Sequence, residues 1–275
     1  MINNNFRFGN KLILIKKIIF YCQILGCKKI ILSNNNWFIK NKINIKKYKM
    51  IIEPINKQNI QDSNLIIDKT STFFHYQNYI KPEIDIGLLK VEILKNLPKV
   101  KVNHKDVFIY VRSGDIFIKP HRFYSQAPLC FYKKILNNCA FKNIYIIAEN
   151  KNNPIIDKLL IQYPNIIYNK NNLKIDIAYL SYSFNLVGGQ LTTFLSNIIP
   201  LNDNLQNLWV FKNQFIEQKF EKIYKLNIIN KIKIFQMNAS NNYLNKMKYW
   251  KNNKYQRDLM INEKCNNKFY LKKKY

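Results

Sequence analysis

The stretch Val107-Phe108-Ile109-Tyr110-Val111-Arg112-Ser113-Gly114-Asp115 decides the fold. Its first five residues form an apolar run without polar alternation, the pattern of a strand buried on both faces, as in a parallel sheet covered by helices. The run stops at Arg112, and Gly114 allows a tight turn. Working toward the C-terminus, residues 144–148 read as a second buried strand, and 166–168 and 185–187 (closed by Gly188-Gly189) as others, while after 208–211 the chain turns Lys/Asn-rich. Helical patterns separate them at 131–136, at 154–162 with Pro154 at the start, at 175–182 and at 193–199. Strands alternating with helices predict an α/β fold with a doubly wound parallel sheet.

Toward the N-terminus, Leu12, Ile15, Ile19 and Cys22 recur at helical spacing after Gly9-Asn10, and the pattern ends at Gly26. Residues 28–32 then read as a strand. The strand that should precede this helix has only residues 1–8 to occupy, so the N-terminal lobe reads as small or truncated. Residues 34–60 are Asn/Lys-rich and predict loops and short strands. Residues 84–97 carry Ile86, Leu89, Ile93 and Leu97 on one side, the mark of an amphipathic helix, and Pro98 stops it. The resulting division is an N-terminal lobe over 1–102, a Rossmann-like lobe over 103–215 and a Lys/Asn-rich helical tail over 216–275.

The 275 residues are 47% hydrophobic and 14% aromatic, enough apolar surface to exclude a disordered chain. The 45 basic against 16 acidic residues give a formal charge of +29, which ordinarily points to a polyanionic partner. Only four of the basic residues are arginines, and the chain is crowded with Lys, Asn and Ile, whose codons can consist of A and T alone. The charge therefore reads mostly as the drift of an AT-rich genome over solvated faces. With no helix-turn-helix, zinc-finger or aromatic-basic repeat, specific nucleic-acid binding is not expected. The five cysteines form no CxxC pair, so neither a zinc ribbon nor a closed disulfide framework is indicated, and free thiols in a reducing compartment are expected. Lysines interrupt the apolar stretch 12–32, which leaves no membrane span and no cleaved leader. A cytoplasmic protein follows; oligomeric state is left open.

In open α/β sheets ligands sit at the carboxyl ends of strands. Arg112 follows directly on a buried strand, with Asp115 able to accept from it or from backbone amides. Held so, the guanidinium is a rigid fork for a diphosphate oxygen, or else one half of a turn-capping pair. An expected loop concentrates His121, Arg122, Tyr124 and Gln126 between Pro120 and Pro128, where such residues more often touch ligand than fill a core. His75 and His104 have no comparable setting. Thr192, Thr193 and Phe194 open a helix after Gly188-Gly189, where hydroxyls serve either as phosphate ligands or as ordinary N-caps. Asp176 precedes that strand.

Together, Arg7-Phe8-Gly9-Asn10, the run Tyr110 to Asp115, Pro120-His121 to Leu129 with Phe131-Tyr132, Ile147-Ala148-Glu149 with Asn153-Pro154, Asp176, and Thr192-Thr193-Phe194 resemble the fucosyltransferase superfamily, glycosyltransferases that use GDP-fucose. The resemblance spans residues 7 to about 211. It implies a GT-B fold of two Rossmann-like lobes with parallel sheets, a GDP-sugar donor held in the second lobe, a glycan acceptor approached from the first, and inverting transfer without a metal or other cofactor. It implies that Arg112 neutralises the donor β-phosphate, that Thr192, Thr193 and Phe194 hold phosphate and nucleotide, that Asp176 meets the base or ribose, and that Gly9 and Asn10 line the cleft. His121, Arg122, Tyr124 and Gln126 fall on the acceptor side. Glu149, Asp115 and His121 are the candidates for the base that deprotonates the acceptor hydroxyl. No Asp-x-Asp pair is present to hold a divalent cation. Tyr110 stands where the family usually has His. The alternative is a catalytically inactive module of the same fold, holding acidic glycans or other polyanions through its lysines.

Overall fold

A computed structural model describes residues 8–24, 26–32, 39–46, 49–54, 87–120, 124–189, 192–212, 232–238, 240–265 and 269–271. The strand expected within 1–8, together with His75, His121 and Arg122, lies outside them, apart from Phe8. The chain divides into two units, Met1–Pro98 and Lys99–Tyr275.

In the first unit, helix α1 (Phe8–Ile24) buries Leu12, Ile15, Ile19 and Cys22, and Leu14 and Ile18 besides. Gly9 and Asn10 lie inside its first turn and not in a loop before it. Strands β1 (Lys29–Leu32), β2 (Ile43–Ile45) and β3 (Met50–Pro54) form a sheet of order β1-β3-β2. β1 runs parallel to β3, but β2 is antiparallel to it. The parallel sheet expected for this lobe is therefore corrected to a mixed one. Only residues 46–49 join β2 to β3, too short for a crossover helix, and Lys49 takes a left-handed φ of 49° to turn the chain back. Helix α2 (Gly87–Lys95) buries Leu89 and Ile93, as its spacing predicts.

Among the described residues the second unit holds seven strands: β4 (Val107–Tyr110), β5 (Ile144–Ile147), β6 (Ile166–Tyr168), β7 (Asn185–Gly188), β8 (Asn207–Lys212), β9 (Lys233–Asn238) and β10 (Tyr270–Leu271). The order across the sheet is β10-β9-β8-β7-β4-β5-β6. The six strands from β4 to β9 are all parallel, and only the edge strand β10 is antiparallel. Counted from β4, this is the 3-2-1-4-5-6 order of a Rossmann-like sheet. Helices α3 (Leu129–Asn138) and α4 (Pro154–Gln162) carry the chain from β4 out to β6, and α5 (Leu173–Tyr182) brings it back across to β7. Helix α6 (Thr193–Ile198) then leads on to β8. Because βαβ crossovers are right-handed, reversing the direction of travel moves the helices to the opposite face. In agreement, α3 packs on α4 and α5 on α6. The chain thus reverses between β4 and β7, whose carboxyl ends lie side by side, with Tyr110 opposite Gly188.

The expectation of a separate helical tail over 216–275 does not hold for the described part of it. β9 extends the parallel sheet, and α7 (Asn241–Met247) and α8 (Lys254–Asn262) complete the core, α8 packing on α3 and α4. Tyr243, Met247, Trp250 and Met260 are buried in the same apolar cluster as Val111, Phe131 and Leu159. The segment is tied to the turn after β4, where Trp250 Nε1 donates to the Ile116 carbonyl at 2.9 Å and Asn252 Nδ2 to that of Phe117 at 2.7 Å. A Lys/Asn-rich surface had masked a buried stripe of large side chains. Cys130 on α3 and Cys265 beyond α8 are disulfide-bonded, which corrects the expectation of free thiols for these two. Among the described residues no helix is long and apolar enough to cross a membrane.

Candidate functional site

Arg112 leaves the sheet at the carboxyl end of β4, one residue after Val111, whose amide still pairs with the Ile147 carbonyl at 3.0 Å. Its side chain is only 13% exposed. Nη2 contacts Asp115 Oδ1 at 2.5 Å, and Nη1 lies 3.7 Å from Glu149 Oε2. The guanidinium carbon is 5.9 Å from the centre of the Tyr124 ring. The strongest sequence candidates, Arg112, Asp115 and Glu149, are thus brought together, with Tyr124 as a fourth. Within the trio the two carboxylates outweigh the one cation. The near-buried Arg112 is held by carboxylates that are themselves about half exposed, at 46% and 49%.

Two loops are stitched together beneath this cluster. Asn150 Oδ1 accepts from the Ser113 hydroxyl at 2.7 Å and from the Gly114 amide at 3.1 Å. Asn153 Nδ2 donates to the Arg112 carbonyl at 2.9 Å, while its Oδ1 caps α4 by accepting from the Ile155 amide at 3.0 Å. One asparagine therefore starts a helix and fixes the backbone of the arginine. Gly114 has φ +79°, and a β-carbon there would overlap the Glu149 carboxylate. Asn-Pro at 153–154 is a legible helix start. Nothing in the sequence distinguishes Asn150 from the many other asparagines.

On the other side of the reversal point, Gly189 lies against the Tyr132 hydroxyl, where a β-carbon would collide with it. Tyr132 is buried and that burial pushes its pKa up, which keeps it neutral. The Tyr110 ring, itself buried, meets the Phe194 ring at 5.4 Å. Aromatic rings thus pack at the carboxyl ends of β4 and β7. Thr192 is a buried N-cap, its hydroxyl accepting from the Leu195 amide at 3.1 Å. The Thr193 carbonyl accepts from Asn197 Nδ2 at 2.7 Å. α6 spans six residues.

Asp176 stands in the first turn of α5, after β6, and β6 lies two strands from β4. Burial raises its pKa to about 6, with a hydrogen bond from Asn171 acting in the opposite sense. Its electrostatic neighbour is Tyr168, over whose ring the Lys151 ammonium sits at 5.2 Å. Gln126 is buried and donates to the Tyr124 carbonyl at 2.7 Å, folding into its own loop, and its carbonyl accepts from the Tyr243 hydroxyl at 2.7 Å. Gly9 and Asn10 belong to the first unit. A cavity of about 330 Å³ opens at the carboxyl ends of β8 and β9, lined by Pro128, Phe211, Asn238, Asn242, Tyr243 and Glu263 among others. Among the described residues no group of three or more His, Cys, Asp or Glu side chains is placed to hold a metal.

No protein-family model matches the chain, and no curated protein or solved structure matches it.

Proposed function

We propose that the protein is a glycosyltransferase of GT-B type that takes its sugar from a nucleoside-diphosphate donor, probed first with GDP-fucose, and delivers it to a glycan hydroxyl. The observation that carries this reading is the position of Arg112: largely buried, clamped by Asp115, at the carboxyl end of the strand where the sheet reverses. Rossmann-like sheets bind nucleotides at that point. In transfer, the bond from the sugar C1 to the diphosphate oxygen breaks as the acceptor oxygen bonds to C1. The electron pair leaves with the diphosphate, and Arg112 neutralises it where other transferases use a metal. Asp115 positions the guanidinium. Glu149, half exposed and bound less closely, is the carboxylate that yields to the diphosphate and takes the acceptor proton. On this reading the acceptor comes in past Tyr124, whose ring centre is 5.9 Å from the Arg112 guanidinium carbon, and the cavity beyond Pro128.

A second reading, a non-catalytic module for acidic glycans, is favoured by Tyr110. Its ring is buried against Phe194 at the position where the resembled family carries a histidine, so no proton acceptor stands there. The Cys130–Cys265 bond argues for folding in an oxidising compartment and against the cytoplasmic placement expected from the sequence.

The deciding experiment is a thermal-shift series with GDP, UDP, CDP and their sugars. A ligand at 100 times its Kd adds about 2.7 kcal/mol, or roughly 2–4 °C for each kcal/mol in a chain of this size. A shift with one nucleotide that Arg112→Ala abolishes, together with donor consumption, supports the transferase. No shift with any nucleotide, alongside binding to heparin that collapses with salt, favours the module.

A further inference from the structure

The first unit carries a cysteine pair that the proposed chemistry does not use. Helix α1 ends with the Cys27 amide donating to the Cys22 carbonyl at 2.7 Å and the Gly26 amide to the Gln23 carbonyl at 3.4 Å, Gly26 adopting φ +68°. These two bonds and the left-handed glycine define a Schellman motif, in which the residue just past the glycine folds back onto the residue three places inside the helix end. That contact is ordinarily made by two apolar side chains. Here both positions are cysteine, and the backbone bond from the Cys27 amide to the Cys22 carbonyl turns the two residues back on each other. Cys22 is buried and Cys27 half-buried. Disulfides need Cα atoms about 4.4–6.8 Å apart and converging Cβ vectors, which a motif that packs the two side chains on each other supplies.

We infer that Cys22 and Cys27 close into a disulfide when the protein meets a small-molecule disulfide, staple the C-terminal end of α1, and reopen under thiol reductants. The route follows from exposure. The Cys27 thiolate attacks one sulfur of the small disulfide, forming a mixed disulfide and releasing one small thiolate. Cys22 then loses its proton to water and attacks the Cys27 sulfur, expelling the second. Two protein thiols give up two electrons and two protons, and the small disulfide becomes two thiols. Burial, and next the proximity of Cys27, push the Cys22 thiol up to about 12. Capping Cys27 removes the second of these causes and leaves the first, so the outer thiol is the one that attacks the small disulfide and the inner one resolves the mixed disulfide.

The full chain is incubated with oxidised glutathione, denatured in N-ethylmaleimide and digested with trypsin without reduction. Cleavage after Lys17 and Lys28 leaves both cysteines in peptide 18–28. The expected product is that peptide two hydrogens lighter and free of maleimide, with Cys139 labelled in every arm. A peptide carrying two maleimides, or glutathione retained on Cys27, overturns the inference. Cys22→Ser should stop at the Cys27–glutathione adduct; if Cys27 stays unmodified in that variant, the route is wrong. Gly26→Val, which strains the left-handed turn, should close several-fold more slowly, and closure at the native rate overturns the role of the motif.

Discussion

The Glu149 carboxylate packs against the α-carbon of Gly114, in the space a β-carbon would fill. This contact joins the turn after β4 to the end of β5 and sets how near Glu149 comes to Arg112. Gly114→Ala therefore acts twice. It strains a left-handed turn by about 1–2 kcal/mol, and it drives Glu149 off the cluster. The variant should melt about 2–4 °C lower for each kcal/mol, read by circular dichroism. It should also lose any donor-induced stabilisation found for the native protein.

Asp115 and Glu149 hold the same guanidinium, but their geometries predict different kinetics. Asp115→Asn keeps a hydrogen-bond acceptor on Arg112 while removing the charge that orients it. Weaker donor binding is expected, with KM raised more than kcat falls. Glu149→Gln removes the proposed proton acceptor and relieves the negative charge facing the diphosphate. Donor affinity should hold or improve while kcat falls by about 10²–10⁴, the usual size of a general-base contribution. Equal effects on kcat and KM from both variants would show that neither carboxylate has the role assigned.

Much of the second unit was legible because its strands are apolar on both faces and its helices begin with recognisable caps. The run from Val107 to Val111 and the Asn153-Pro154 start are examples where local pattern and tertiary role coincide. The site was legible to the extent that a charged residue terminates a buried strand, as Arg112 does. Asn150 was not, because its role lies in accepting from two partners 36 and 37 residues away, and nothing local records that. The C-terminal stretch misled for a related reason: Tyr243 and Met247 sit on one short helix, Met260 on another and Trp250 between them, and each helix is too brief to show a period among lysines and asparagines. In the first unit, antiparallel pairing of β2 depends on the four-residue connection 46–49, which a polar composition describes only as loop.

The bond between Cys130 and Cys265 spans 135 residues and ties the start of α3 to the segment after α8. Closing so long a loop restricts the unfolded chain, and a typical contribution is about 2–4 kcal/mol. Cys130→Ser should lower the melting temperature of the non-reduced protein, and a reductant should lower the native Tm to nearly the same value. Cys22 and Cys27 are free thiols unless an oxidant is supplied, so reductant should leave the Tm of the Cys130→Ser variant unchanged. Equal melting of native protein and Cys130→Ser would show that the C-terminal helices are held by their buried side chains alone.

Asp176 supplies a test by pH. Its carboxyl is raised from 3.8 to about 6 by burial in the folded protein. Between those values the folded state binds more protons at this site than the unfolded state does, so its contribution to stability falls as pH rises through that window. Asp176→Asn removes the ionisation but keeps a group of similar shape that can still hydrogen-bond. Relative to the native protein, the variant should gain stability steadily from about pH 4 to pH 6 and hold that gain to pH 7. A difference in Tm that is flat across this range would mean that Asp176 is solvated. The same titration bears on its proposed role beside a donor: a carboxyl that ionises near pH 6 accepts from ribose hydroxyls at pH 7 but competes poorly for them at pH 5. Nucleotide affinity that rises over this interval in the native protein and not in Asp176→Asn would place the ribose at α5, two strands from Arg112, and affinity that moves identically in both would remove Asp176 from the site.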